Sequence, residues 1–424
     1  MEIDMKSHWK GIIRLKFIDI LRGTTILKTL NELRKQQYFD KNIIDKIAED
    51  KFKKLASIAQ STTDYYANGI DYKKLQKIDK NIIRRNFDSF ISRSFKNKLY
   101  KKATGGSTGA PLVYYTTSES ISYLWAGIIL SWEVAGYKFG DKVAFLAGTS
   151  IIKKDLKHDI FYRLMNIEVY STYKLDEHTI IDYIEHIRRS KAKIIYGYAT
   201  AIAFAAEVMK KNKIAIPDDL KGIVSTAEVL TDENRKNIED TFKVKVYNQY
   251  GCNEAGISAF ECEYGKMHLI STRCKYEVDD EGNLISTDLS NKGFIMMKYF
   301  TGDQISLSKS NECSCKRNYP IIENIRGRSY DLIIDSKKKI MHAAFFNIMF
   351  KNDVTIKQFQ VRFNKNKISL YLDTDRSKAS INDYQHYIDA IKKYLFFKEY
   401  EIILNADLIK SSSMKHRYVI NTEL

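Results

Sequence analysis

At 424 residues, 44% of them hydrophobic, the chain carries enough apolar surface for a large core and more than one domain, which excludes intrinsic disorder. Five cysteines in this length exclude a disulfide framework and leave the thiols for a metal or the core. The formal charge of +17 invites anionic partners, yet Lys and Arg alternate with Asp and Glu, as over residues 40–51, so it reads as a solvated surface and nucleic acid is not the expected partner.

The polar residues 1–10 are followed by no apolar run, which predicts no signal peptide. The longest nearly apolar stretch, 194–209, contains Gly197, Tyr198, Thr200 and Glu207 and is too short to span a bilayer, so the expected location is the cytoplasm. Residues 1–95 have helical periodicity and no catalytic cluster. Ile26, Leu27, Leu30 and Leu33 fall on one face, as do Ile43, Ile44 and Ile47, then Phe52, Leu55 and Ile58.

Within 100–117, Thr104, Gly105, Gly106, Ser107, Thr108 and Gly109 set three glycines and three hydroxyls side by side, followed by Pro111 and a short apolar run. Glycines let backbone N–H groups close on an anion and hydroxyls add donors, so the loop suits a polyphosphate. A plain hairpin turn has the same composition. No Gly-Lys-Ser/Thr ends the loop and no Gly-x-Gly-x-x-Gly spacing lies in it, which excludes a Walker A loop and a dinucleotide fingerprint.

After the loop, 120–133 predicts a helix carrying Trp125 and Trp132. Strands are predicted at 142–147, 169–173, 193–196, 222–225 and 245–247, separated by helices such as 179–189, 199–211 and 232–242. Strand alternating with helix means an α/β fold with a covered, mostly parallel sheet, and its ligands collect at strand C-termini. Ser225, Ala227 and Glu228 follow one such strand. They suit a ligand-binding turn or a helix N-cap region, with Thr231 capping and Asn234 three residues on. Beyond residue 332 the pattern becomes strands at 358–363, 367–372 and 400–404 around a helix at 383–394, a small α+β unit. The expected domains are 1–330, with 1–95 as a helical lead-in, and 331–424.

The Gly/Ser/Thr loop, Tyr250-Gly251-Cys252-Asn253-Glu254, Tyr299-Phe300-Thr301-Gly302-Asp303 and Gly327-Arg328-Ser329-Tyr330-Asp331 follow one another in order, with Lys415 near the end. Together they resemble the adenylate-forming superfamily of acyl/aryl-CoA synthetases, adenylation domains and luciferases. Within it, the likeness is to the phenylacetate-coenzyme A ligase and capsule-biosynthesis CapK-type branch. The resemblance implies that Tyr250 stacks on adenine, Gly251 opens the turn, Glu254 carries Mg²⁺ and Asp303 accepts from the ribose hydroxyls. It also implies that Ser225, Ala227 and Glu228 touch adenine and ribose, that Arg328 lies near the nucleotide, and that the small C-terminal unit is a lid carrying a catalytic Lys415. In the family the lid hinge comes two residues after the Arg; here Tyr330 holds that place and Asp331 the next, and Met414 replaces the usual Gly before the Lys.

Cys262 with His268, and Cys313 with Cys315, form two pairs of soft or borderline ligands suited to one tetrahedral Zn²⁺; CapK-type relatives often carry a similar set. The other reading is buried thiols without metal. Cys252 and Cys274 have no assigned role. Tyr115, Trp125, Tyr137, Tyr198 and Phe204 read as core in preference to an aromatic-acid pocket.

The expected activity is ATP-dependent activation of a small carboxylic acid as an acyl-adenylate with release of pyrophosphate, then transfer to a thiol of coenzyme A or a carrier protein, or to an amine. A homodimer is compatible with the sequence. The alternative is a basic nucleic-acid or acidic-glycan binding protein on a degenerate adenylating fold, supported by the charge and the 28 tyrosines.

Overall fold

The computed structural model describes residues 9–69, 71–104, 112–147, 156–172, 177–327, 332–337, 339–342, 344–350, 353, 355–374, 379–408 and 419–423. The chain divides into two compact units, Met1–Ala103 with Val113–Ile325 and Thr104–Leu112 with Arg326–Leu424. Among the described residues no helix is long and apolar enough to cross a membrane.

The first unit opens with α1 (Trp9–Arg22), α2 (Ile26–Gln36) and α3 (Lys41–Thr62). Asp19 of α1 accepts from the Ile26 N–H at 2.7 Å and the Leu27 N–H at 3.1 Å, so a carboxylate from one helix caps the next. Ile26, Leu30 and Leu33 are buried as their spacing requires, with Leu27 packed beside them. In α3, Ile44 is buried but Ile43 is 47% exposed, because neighbours in a helix point about 100° apart and only one of them can face the core. Next come α4 (Lys80–Arg85), capped by the Asp79 side chain, and a hairpin of β1 (Tyr100–Ala103) and β2 (Val113–Thr116).

The alternating region follows as α5 (Ser118–Val134), β3 (Val143–Ala147), α6 (Leu156–Leu164), β4 (Ile167–Ser171), α7 (Glu177–Arg189), β5 (Ile194–Tyr198), α8 (Ala199–Asn212), β6 (Gly222–Thr226), α9 (Asp232–Phe242) and β7 (Val246–Cys252). Parallel pairing runs β7-β6-β5-β3-β4. Two cores cover its faces: one contains Trp132, Phe145, Tyr196 and α5, the other Ile180, Ile184, Ile202 and Phe242 from α7, α8 and α9. Strand β4 begins two residues earlier than its composition suggests, just after Asn166 adopts a left-handed φ of 56°.

The sheet continues as an antiparallel half: β8 (Ile257–Glu261), β9 (Met267–Leu269), β10 (Cys274–Val278), β11 (Asn283–Asp288), β12 (Tyr299–Leu307) and β13 (Ile321–Gly327). All eleven strands run in the order β10-β11-β12-β13-β9-β8-β7-β6-β5-β3-β4. Parallel and antiparallel halves therefore meet at β7, the strand that carries Tyr250.

The second unit pairs β14 (Leu332–Ile334) with β15 (Ile340–His342), followed by α10 (Ala344–Phe350), β16 (Ile356–Phe363), β17 (Lys367–Thr374), α11 (Gln385–Lys392), β18 (Glu399–Leu404) and β19 (Val419–Asn421). Its four-stranded sheet has the order β18-β17-β16-β19 over a core of Phe346, Val361, Leu370 and Ile391. The stretch expected as a helix from residue 383 begins as a 3-10 turn, Ile381–Tyr384, because Ser380 and Asp383 form a reciprocal capping box there.

Candidate nucleotide site and metal centre

Adjacent strands β6 and β7 pair Ser225 with Asn248 and Thr226 with Gln249, so β7 runs on three residues past the C-terminal end of β6. Ser225 is fully buried and its hydroxyl donates to Asn248 Oδ1 at 3.3 Å. Ala227, the next residue but one, has a φ of +66°, a left-handed turn that a non-glycine residue adopts at a cost of about 1 kcal/mol. Glu228 then turns back to α8, accepting from the Thr200 N–H at 2.9 Å and its hydroxyl at 2.6 Å. Burial raises the Glu228 carboxyl above its usual range, although the Thr200 bonds oppose the shift. Here Glu228 clasps a helix N-terminus. Thr231 caps α9 by accepting from the Asn234 N–H at 3.1 Å, so the turn also serves as an N-cap region.

At the end of β7 the Tyr250 hydroxyl donates to Asp303 Oδ2 at 2.7 Å. Gly251 is exposed, and the turn Asn253–Ala255 carries a buried Glu254 before Gly256 reverses the chain at a φ of +70°. Ser286 donates to the Ala255 carbonyl at 2.8 Å, and Ser120 donates to Asp288 at 2.7 Å, giving this turn a polar floor. The charge of Glu254 also reaches Tyr114 of β2: burial, then Glu254 and Cys252, push that phenol well above its ordinary range. Thr104 closes the glycine-rich segment at its neck, accepting from the Leu112 N–H at 3.0 Å and donating its own N–H to the Leu112 carbonyl at 2.9 Å. Gly105, Gly106, Ser107, Thr108, Gly109, Arg328, Tyr330, Asp331 and Lys415 lie outside the described residues.

Cys262, His268, Cys313 and Cys315 converge, their ligand atoms all within 4.8 Å of one another. Cys262 and Cys313 Sγ are 3.6 Å apart and Cys315 Sγ lies 3.3 Å from His268 Nε2. Ligands bound at about 2.0–2.3 Å in a tetrahedron are about 3.5–3.8 Å from each other, so the set fits Zn²⁺. Sheet order explains the meeting: β9 lies between β8 and β13, bringing the ends of β8 and the β12–β13 connection together. Each leading thiol opens a similar turn, with Gly265 N–H donating to Cys262 O and Lys316 N–H to Cys313 O, and each turn ends on a left-handed residue. His268 Nδ1–H donates to the Tyr319 carbonyl at 3.2 Å, leaving Nε2 as the ligand, and burial lowers its pKa toward the neutral form that binds metal. Arg317 beside the cluster donates to Gln37 at 2.9 Å and Glu263 at 2.6 Å, joining it to the end of α2.

Two cations that the sequence did not single out make polar bonds in the interior of the first unit. Lys51 donates to the Tyr123 hydroxyl at 2.6 Å and the Thr272 carbonyl at 2.8 Å, and buried Arg273 donates to the Ser258 hydroxyl. Lys51 lies 72 and 221 residues from its partners and Arg273 lies 15 from its own, so neither belongs to a local motif. Of the aromatic residues, Tyr137 is buried, Trp125, Tyr198 and Phe204 are half-buried against the two cores, and Tyr115 is half-buried between Phe87 and Phe294; Trp125 and Trp132 meet edge to face at 6.4 Å.

No protein-family model matches the chain. Its fold is that of the adenylate-forming CoA ligases. It matches 2-hydroxyisobutyryl-CoA ligase in complex with 2-HIB-AMP and CoA in the thioesterification state at TM-score 0.63 and 14% identity, covering 92% of this chain and 91% of that one. The same ligase in its postadenylation state with R3-HIB-AMP matches at TM-score 0.59 and 14% identity over 92% and 91%. In sequence, the chain is similar to protein CapK of Staphylococcus aureus, 27% identical over 365 residues, 80% of this chain and 81% of that protein.

Proposed function

We propose that this chain is an ATP-dependent, AMP-forming carboxylate ligase. A carboxylate oxygen attacks the α-phosphorus of ATP, the bond to pyrophosphate breaks, and an acyl-adenylate forms. A thiol or amine then attacks the acyl carbon and gives up its proton to water, the bond from the acyl carbon to the phosphate oxygen breaks, and AMP leaves with that bond's electron pair. The observation that carries this reading is the Tyr250–Asp303 pair at the strand edge that also presents Glu254.

Asp303 would accept from the ribose diol, held in place by Tyr250, whose ring would stack on adenine. Ser225, Ala227 and Gly251 would give the base a backbone floor, and Glu228 would hold that floor to α8. Glu254 offers the hard oxygen donor that Mg²⁺ prefers, and Mg²⁺ when bound supplies neutralisation of phosphate oxygens. The segment 104–109 would donate N–H and hydroxyl groups to the phosphates, and Arg328 would lie by the nucleotide. Residues 331–424 would act as a lid, hinged at Tyr330 or Asp331 and carrying Lys415 to the α-phosphate. Cys262, His268, Cys313 and Cys315 would hold a structural Zn²⁺. Coenzyme A is the favoured acceptor, supported by the CoA held by the 2-hydroxyisobutyryl ligase of the same fold; a carrier-protein thiol or an amine would serve the same chemistry.

Hydroxylamine trapping tests this. With ATP, Mg²⁺ and an acid panel, at least one acid should give its hydroxamate with one AMP released per hydroxamate. Nucleic-acid or acidic-glycan binding with no hydroxamate from any acid would support the non-enzymatic alternative.

A further inference from the structure

Helix α1 has two apolar faces, and among the described residues only one of them is buried. Gly11, Leu15 and Ile18 are buried, and Gly11 lies so close to the 139–140 backbone that a Cβ there would come within 2.6 Å of Gly140 N. The helix is thus seated firmly on the first unit. On the other side Trp9 is 53% exposed, Ile13 53%, Phe17 49%, Ile20 78% and Leu21 57%. At helical spacing these five form one stripe over roughly 120° of the circumference.

Charge identifies what covers the stripe. Exposed Lys10 and Arg14 lie in and beside it on one flank and exposed Lys16 on the other. The only carboxylate of α1, Asp19, is occupied by the Ile26 and Leu27 N–H groups and the Thr24 hydroxyl. A twofold pairing of α1 with its copy would set these cations against their own equivalents with no free acid of α1 between them. An aromatic and aliphatic stripe with basic flanks instead has the form of a helix lying in a bilayer interface, with apolar side chains among the acyl chains and cations at anionic headgroups.

We propose that α1 docks the protein on an anionic membrane surface without crossing it. The full chain, mixed with vesicles of phosphatidylglycerol and phosphatidylcholine, should sediment with them and should remain in solution with phosphatidylcholine alone. Phe17→Ser with Ile20→Ser should weaken sedimentation roughly tenfold or more. Because both side chains point away from the core, thermal stability should be unchanged. Failure of the wild type to sediment with the anionic vesicles overturns the proposal. So does a dimer, detected by light scattering, that the double variant converts to monomer.

Discussion

The Tyr250 hydroxyl donates to Asp303 Oδ2 at 2.7 Å although β8, β9 and β13 stand between their strands in the sheet order. In a flat sheet four strand spacings would hold β7 and β12 about 19 Å apart, beyond the combined reach of the two side chains. The antiparallel half must therefore curl, and the same curl sets Gly256 against Asp288 of β11. Curvature thus assembles the candidate ribose site from two motifs distant in sequence. Tyr250→Phe should leave the fold intact and raise KM for ATP roughly three- to tenfold, the worth of a single hydrogen bond of about 1 kcal/mol. An unchanged KM in steady-state assays would show that the bond does not orient Asp303.

Gly256 is irreplaceable where it stands. Its φ is +70°, and a Cβ would come within 2.7 Å of the Asp288 Cα and Cβ. Gly256→Ala should cost about 2–4 kcal/mol in denaturant unfolding, since strain and overlap add. It should also depress adenylation by displacing Glu254, whereas a variant as stable as wild type would mean that the turn relaxes freely.

Zinc removal should act far from the nucleotide. Because Arg317 and Asn318 bond the cluster loop to Gln37, losing the metal should loosen the α2–α3 junction as well as β8 and β9. Protein purified without chelator should carry about one equivalent of zinc, and chelation should lower Tm by roughly 5–10 °C. Hydrogen exchange should then rise at residues 36–40, and metal analysis finding well under one equivalent would end the assignment.

Lys51 predicts an alkaline rise in stability. Burial lowers its ammonium from 10.5 to about 8, partly offset by Glu119 and Glu32. Between these values the unfolded chain holds a proton that the folded chain has released, so stability increases with pH across that window. Below about pH 8 both states are protonated and the burial penalty is complete. Unfolding free energies measured from pH 7.5 to 10 should therefore rise in wild type relative to Lys51→Met, and parallel curves would contradict this.

The parallel half was legible because its elements are local. Runs such as Ile194-Ile195 and the Thr231 cap with Asn234 mark strand and helix within a few residues. The antiparallel half was not, since β9 has three residues and its register depends on partners far along the chain. Cys315 and His268 meet across 47 residues, so their pairing was readable as ligand chemistry while the strand order that brings them together was not. Tyr114 and Lys51 act through burial and charge from distant segments, which no motif encodes.

Adenylate formation defines the proposed activity, and carboxylate-dependent exchange of labelled pyrophosphate into ATP measures that step alone. Across a panel of acids the wild type should catalyse exchange with at least one acid and none without it, and Glu254→Gln, folded as judged by its melting curve, should be slower by roughly tenfold to a thousandfold. Exchange that no acid stimulates would rule out adenylate formation, and a Glu254→Gln rate equal to wild type at limiting Mg²⁺ would rule out Glu254 as the metal ligand.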